Sequence, residues 1–161
     1  MSLVVKDDTS FFTSEKKQKV LHIAPEQCFL DRFRKQENLA YTTSDLTSPI
    51  ADVKADICNL PFEDNACDFI ICNHVLEHIS DDTRAMQELY RVLKPKGMGI
   101  FQIPQELSRN KTFEDDNIKE PKEHAKIFGQ YDHVKIYGRD YFDKLSSLEF
   151  KVDRIEYTKK I

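Results

Sequence analysis

Two acidic residues of this chain lie just after apolar segments, where a folded sheet would present them to a ligand. Asp45 lies about 20 residues beyond Ala24, the last residue of the first apolar run, and Asp56 lies near the end of a later one. A carboxylate at the first spacing can accept both hydroxyls of a ribose. A carboxylate beside a backbone N–H, here that of Ile57, can bind the amine edge of an adenine. The two acids therefore indicate a nucleoside site, although turn formation by Asp45 and simple solvation of Asp56 remain alternatives.

Three histidines are candidate catalytic bases. His74 follows Asn73 at the end of the most apolar segment, His78 lies four residues further on, and His133 lies in a charged segment. Histidine is the natural proton acceptor near neutral pH. His-x-x-x-His also occurs in metal sites, but the chain lacks the His-Glu-x-x-His pattern and shows no obvious third ligand, so we predict no metal. For His133, a solvated loop position is the alternative.

Apolar strands alternate with amphipathic helices, which predicts a mostly parallel α/β sheet with helices on both faces. Helix starts are expected at Pro25, because proline is favoured at the first helical position, at Ser80-Asp81-Asp82, and at Gly138-Arg139-Asp140. A Pro95-Lys96-Gly97 turn should end the second helix. Ligands bind at the carboxyl ends of such strands, so the acids and histidines should share one edge. The predicted strands cover residues 19–24, 39–43, 53–57, 67–73, 98–103 and 151–157.

Composition narrows the class of protein. The 161 residues suffice for one domain with a core, and the net charge of −4 gives no reason to expect nucleic-acid binding. No apolar run approaches the roughly 20 residues that span a bilayer. None of the four cysteines forms a Cys-x-x-Cys pair. We therefore expect a cytoplasmic protein that binds neither nucleic acid nor a membrane.

Two segments depart from the strand–helix alternation. Residues 1–18 are mostly polar and are expected to be a flexible N-terminal segment before a domain over residues 19–161. Residues 105–137 are highly charged and weakly periodic, and connections this long are uncommon inside compact domains unless they are functional. We expect this insert to form a lid that selects the substrate; a solvated surface is the alternative.

Three motifs give the chain a family resemblance. Leu60-Pro61-Phe62, the segment Cys67–His78 and an Arg-Val-Leu-Lys-Pro-x-Gly motif over residues 91–97 occur in order. In this order and spacing the chain resembles class I S-adenosylmethionine-dependent methyltransferases, from about residue 19 to 157. The resemblance implies a Rossmann-like fold, S-adenosylmethionine as cofactor, and methyl transfer to a small-molecule acceptor.

The family's glycine-rich cofactor loop is missing, since no glycine precedes Gly97. The segment Leu21–Glu26 stands in its place, and with residues 128–134 and 137–138 it is similar to a bacterial subgroup of methyltransferase-domain proteins. In that subgroup a Leu-His-(Ile/Phe)-Ala-Pro-Glu turn replaces the loop. The resemblance implies that the cofactor is bound by His22, Ala24, Glu26, Asp45, Asp56, Ile57, Asn73 and His74.

Several alternatives stay open for these positions. Glu26 meets the cofactor's amino group or caps a helix, and His22 is a ligand-facing residue or a buried one. The missing glycines also leave a second function open, a non-catalytic methyltransferase-like module that binds a ligand or a partner. A nicotinamide-dependent oxidoreductase is disfavoured, because Gly-x-Gly-x-x-Gly is absent after the first strand. The family's last, antiparallel strand is expected to be missing, and a homodimer would cover the sheet edge that this exposes.

Overall fold

A computed structural model describes residues 15–154 of the chain. The chain divides into two compact units, residues 1–103 and residues 104–161. The first contains the motifs that resemble methyltransferases, and the second contains the whole predicted insert and the predicted last helix.

Five parallel strands form the sheet of the first unit in the order β3-β2-β1-β4-β5. Strand order reverses between β1 and β4, and this switch point is where open parallel sheets bind ligands. The predicted Rossmann-like fold class is confirmed. The strands are β1 (Gln18–Ile23), β2 (Leu39–Asp45), β3 (Val53–Lys54), β4 (Cys67–Asn73) and β5 (Leu93–Gln102).

Helices α1 (Gln27–Arg34) and α2 (Asp82–Val92) cover this sheet with their apolar sides. Phe33 of α1 packs into one cluster with Val20 of β1 and with alternate residues of β4, Phe69 and Ile71. Alternate residues of a strand share a face, so the pattern places His22 on the same face as Val20. Four residues of α2 are fully buried, namely Ala85, Met86, Leu89 and Val92.

The start of α1 differs from the prediction. The helix begins at Gln27 with Glu26 as its N-cap residue, so Pro25 precedes the helix instead of opening it. The reason is a sharp turn at Ala24, where the backbone dihedral φ is 47°. In contrast, α2 begins as predicted, because Asp81 accepts a hydrogen bond from the backbone N–H of Arg84 at 3.0 Å.

The junction between α2 and β5 also differs from the prediction. The helix ends at Val92 and β5 begins at the next residue, so Pro95 and Gly97 lie inside the strand. Pairing with β4 is irregular here, between Cys67 and Phe69, and Lys96 adopts a φ of 67°. The strand is also less buried than predicted. It is the last strand of the described sheet, which leaves residues such as Met98 46% exposed.

The second unit contains regular structure where the sequence predicts a long connection. Strands β6 (Phe113–Glu114) and β7 (Lys135–Ile136) pair antiparallel, and α3 (Pro121–Phe128) lies between them in the chain. Pro121 opens α3, and Gly129 ends it in the left-handed conformation. Helix α4 (Tyr141–Ser147) follows, as the sequence predicts.

Some predictions fall at the limits of the described chain. Residues 1–14, most of the predicted N-terminal segment, lie outside the described residues, as do residues 155–157 of the last predicted strand. Residues 151–154 have no regular secondary structure. No helix within residues 15–154 is both long enough and apolar enough to cross a bilayer.

Candidate functional site

The turn after β1 reaches the switch point without a glycine. Ala24 takes the left-handed conformation that glycine adopts at least cost, which for other residues costs about 1–2 kcal/mol. Its backbone N–H donates to the carbonyl of Ser44 at 2.8 Å, which ties the turn to the end of β2. The glycine-like conformation is therefore present although the residue is alanine.

A chain of side-chain hydrogen bonds holds Glu26 beside this turn. Nε2 of His22 lies 2.6 Å from Oε2 of Glu26, and Nδ2 of Asn73 donates to Oε1 at 3.0 Å. The other ring nitrogen of His22, Nδ1, lies 2.7 Å from the hydroxyl of Tyr41. Because a carboxylate only accepts, Nε2 carries the proton of a neutral His22 ring, and Nδ1 accepts from Tyr41. The carboxylate of Glu26 is thus fixed from two sides.

The hydrogen bonds made by the Glu26 carboxylate favour its ionised form. Burial alone would raise the pKa of Glu26, but hydrogen bonds from His22 and Asn73 offset this effect, and the pKa lies below its usual value of 4.5. Burial raises the pKa of Tyr41, which keeps its hydroxyl neutral. The Glu26 side chain is 33% exposed while that of His22 is 0% exposed. Glu26 therefore presents a negative charge outward, and His22 supports it from behind.

The observed contacts bear on the alternative roles of Glu26, as a ligand contact or a helix cap, and of His22, as a ligand-facing or a buried residue. Glu26 occupies the N-cap position of α1, yet its side chain makes no capping hydrogen bond. His22 is buried with both ring nitrogens engaged, so it can influence a ligand through Glu26. Cofactor binding by either residue remains a prediction.

Asp45 and Asp56 both form turns with one carboxylate oxygen. Oδ1 of Asp45 accepts from the backbone N–H groups of Thr47 at 2.7 Å and Ser48 at 2.6 Å. Oδ1 of Asp56 accepts from the N–H of Cys58 at 2.8 Å, beyond the end of β3, which is shorter than predicted. Oδ2 of Asp45 accepts no hydrogen bond from the described residues, whereas the Asp56 carboxylate also interacts with the side chain of Cys58. The turn role and a ligand role are therefore compatible, and the ribose and adenine roles remain predictions.

The predicted catalytic histidines lie in different settings. His74 follows β4 with a φ of 52°, and its backbone N–H donates to the carbonyl of Gln102 at 2.8 Å. Its side chain is 54% exposed and lies 3.4 Å, from Nδ1 to Oε1, from that of Glu77. His78 is partly exposed and ends a short 3₁₀ turn. His133 belongs to the second unit, where Nδ1 lies 3.3 Å from the carbonyl of Phe128.

Arg91 joins two of the sequence motifs, a role that its position in the sequence did not indicate. Its guanidinium donates to the carbonyls of Leu60 at 3.0 Å and Phe62 at 2.8 Å. It also donates to both carboxylate oxygens of Glu88, at 2.9 and 2.7 Å, and Glu88 in turn accepts from the N–H of Leu60. The hydrogen bonds with Arg91 lower the pKa of Glu88 despite its burial. The spacing of the two motifs was the available signal, but it did not reveal this contact.

Comparisons with known proteins agree with the fold. Residues 11–101 match a family described as a methyltransferase domain. A 2-phytyl-1,4-naphtoquinone methyltransferase of Nostoc punctiforme is 50% identical over 46 residues, which are 29% of this chain and 20% of that protein. The matched segment thus spans about a fifth of the relative's length.

Two solved structures show the same fold at low identity. The YcgJ protein of Bacillus subtilis superimposes with a TM-score of 0.64 at 20% identity, covering 96% of this chain and 69% of that one. A Haemonchus contortus phosphoethanolamine N-methyltransferase 2 in complex with S-adenosyl-L-methionine gives a TM-score of 0.63 at 16% identity, with coverages of 99% and 38%. Since the family match covers more than half of the 161 residues, this chain belongs to the methyltransferase-domain family.

Proposed function

We propose that this chain transfers a methyl group from S-adenosylmethionine to a small-molecule acceptor. The observation that carries the proposal is the fixed, half-buried carboxylate of Glu26 at the switch point of the sheet. The cofactor's methionine part ends in an ammonium and a carboxylate, and a preorganised anion beside the β1 turn complements the ammonium. The glycine-free turn therefore offers a side-chain acceptor where other members of the family use a glycine-rich loop.

The remaining parts of the cofactor match the next strand ends. Asp45 has one carboxylate oxygen engaged in its turn and one left to accept ribose hydroxyls. Asp56 also forms a turn, and with the N–H of Ile57 it would bind the adenine edge. The donors and acceptors of these three residues therefore fit the group that the family uses.

The residues of this chain would bind and orient the cofactor and the acceptor, and one of them would accept the acceptor's proton. When bound, S-adenosylmethionine supplies an electrophilic methyl group on a sulfonium sulfur. An O–H or N–H acceptor loses a proton when it is methylated, and the half-exposed ring of His74 is the base that we propose for it. His78 and His133 remain alternative bases.

Other features of the protein extend the proposal. The curated relatives include quinone methyltransferases, so a cyclic small molecule is the acceptor class to test first. We assign substrate selection to residues 105–137, a cytoplasmic location to the protein, and dimerisation to the partly exposed β5 edge.

Calorimetric titration of the cofactor tests the proposal. We expect S-adenosylmethionine to bind, and Asp45→Asn and Glu26→Gln each to weaken binding about tenfold or more, because lost hydrogen bonds to charged groups are worth about 1.5–3 kcal/mol. Asparagine keeps the turn-forming oxygen of Asp45, so folding should be unaffected. Asp31→Asn, which removes an exposed acid on α1, is the matched control.

A second ligand isolates the role of Glu26. 5′-Methylthioadenosine retains the adenosine and lacks the ammonium, so Glu26→Gln should leave its affinity unchanged while Asp45→Asn weakens it. Equal losses for both ligands in Glu26→Gln would contradict the ammonium assignment. Failure of the wild-type chain to bind the cofactor or its demethylated product at millimolar concentration would favour the non-catalytic module instead.

A further inference from the structure

A buried carboxylate lies against the ring of His74. The Glu77 side chain is 1% exposed, and its Oε1 lies 3.4 Å from Nδ1 of His74. The second oxygen, Oε2, is buried and accepts no hydrogen bond within residues 15–154. Glu77 occupies the 3₁₀ turn Leu76–His78 directly after β4, so the pair lies at the same strand end as Asn73.

Burial of Glu77 in this way is costly. A carboxylate removed from water needs strong partners, and a buried polar atom without one calls for an explanation. Glu77 lies close enough to Cys72 to act on it, since burial and then the charges of Glu77 and Glu26 raise the pKa of the Cys72 thiol. The contact with His74, at 3.4 Å, is one compensating interaction, and a ring nitrogen of His78 also lies within 4.8 Å of a carboxylate oxygen of Glu77.

The backbone of His74 is equally constrained. Its φ of 52° is uncommon for a residue with a side chain, and such strain concentrates at functional sites. The hydrogen bond to the carbonyl of Gln102 holds this conformation. As a result the Nδ1 side of the ring faces the protein, while 54% of the side chain is exposed.

We propose that Glu77 is a positioning residue that holds His74 in the Nδ1–H tautomer, so that Nε2 is the basic nitrogen. The N···O distance is longer than a usual hydrogen bond, but a proton on Nδ1 is still favoured electrostatically, because a lone pair there would face the buried carboxylate. Carboxylates orient catalytic histidines in this way in other enzymes. The inference rests on the proposed function in that it takes His74 as the base.

The proposed transfer forms one bond, breaks one bond and moves one proton. The acceptor's lone pair forms the new bond to the methyl carbon, the sulfur–carbon bond breaks, and its electron pair remains on sulfur. The acceptor's proton passes to Nε2 of His74. The resulting imidazolium then lies against the Glu77 carboxylate, which stabilises its charge.

Nuclear magnetic resonance of the ¹⁵N-labelled full chain, without cofactor, tests this inference. Long-range ¹H–¹⁵N correlations at pH 8 identify which ring nitrogen carries the proton, and a His74→Gln variant assigns the signal. We expect Nδ1–H in the wild type, whereas free histidine prefers Nε2–H. Glu77→Leu, which cannot accept a hydrogen bond, should make Nε2–H the major form, with the His124 signals of the second unit unchanged.

Each possible result of the tautomer measurement either supports or contradicts the proposed role of Glu77. A wild-type ring in the Nε2–H form, a ring still doubly protonated at pH 8, or a folded Glu77→Leu variant that keeps Nδ1–H would overturn it. If Glu77→Leu does not fold, the wild-type tautomer alone decides. If the chain binds the cofactor but His74 is in the Nε2–H form, the role of Glu77 is refuted and the proposed function stands. If His74 is in the Nδ1–H form but the chain does not bind the cofactor, the role of Glu77 stands and the proposed function is refuted.

Discussion

At the scale of single residues, the turn after β1 shows that one conformation can be reached by different residue types. Ala24 adopts φ 47°, and the absence of glycine therefore did not remove the left-handed turn. Alanine does not have the additional backbone freedom of glycine. We propose that the ligand is recognised by the fixed carboxylate of Glu26. Backbone geometry and ligand chemistry are thus separable at this site.

Substitution of Ala24 tests the strain directly. Ala24→Gly should stabilise the protein by up to about 1 kcal/mol, because relief of the left-handed strain exceeds the greater entropy of glycine in the unfolded chain. Ala24→Val should destabilise it, by about 1–2 kcal/mol, because a β-branched residue is a poorer fit to this conformation. Urea unfolding measures both, and equal stability of the three proteins would show that the turn is not strained.

At the scale of secondary-structure elements, a single guanidinium joins α2 to the loop before β4. Arg91 and Glu88 lie one turn apart on the helix and together bind the backbone at Leu60 and Phe62. The loop that follows Asp56 is consequently fixed to the helix. The two sequence motifs are in direct contact in this chain, since one supplies the donors and the other the carbonyls.

Arg91→Lys should destabilise the first unit by about 2–4 kcal/mol. A lysine ammonium cannot reproduce the planar fork of donors, and Glu88, which is 4% exposed, would lose most of its compensation. Arg84→Lys is the matched control, since Arg84 lies on the same helix, 3.5 Å from the same carboxylate, but is 51% exposed. Chemical denaturation should show a loss below about 1 kcal/mol for the control, and equal losses would contradict the Arg91 assignment.

At the scale of the whole molecule, carboxylates with lowered pKa values occur in both units, at Glu106 and Asp115 in the second and at four positions in the sheet unit. Hydrogen bonds and charged partners offset burial and lower the pKa values of Glu26, Asp52 and Asp68, and hydrogen bonds from Arg91 lower that of Glu88. A lowered pKa in the folded protein means that the stabilisation is complete above the unfolded value, 3.8 for Asp and 4.5 for Glu. It is lost as the pH falls through the folded value.

The free energy of unfolding should therefore fall between pH 5 and pH 3. Lys94→Met, which removes the ammonium 2.7 Å from Asp68, should make this decline shallower because the pKa of Asp68 returns toward its unfolded value. Lys122→Met, at an exposed position of α3, should leave the pH dependence unchanged. Urea midpoints measured across this range provide the test, and identical slopes for all three proteins would refute it.

The sequence by itself determined the class of fold and the family. Apolar periodicity is a local property, because alternation and helical spacing report which backbone segments are buried. It therefore located β4, the start of α2 and the alternation that defines a parallel sheet. The Leu-Pro-Phe and Arg-Val-Leu-Lys-Pro-x-Gly motifs added the family, because their order and spacing resemble those of methyltransferases.

Only the tertiary structure decided which side chains meet. Glu26 and Asn73 are 47 residues apart, His22 and Tyr41 are 19 apart, and these contacts exist because β1 lies between β2 and β4. Strand order is a global property, and no local pattern contains it. The contact of Glu77 with His74 is close in sequence, yet it depends on a left-handed residue and a 3₁₀ turn that apolar periodicity does not report.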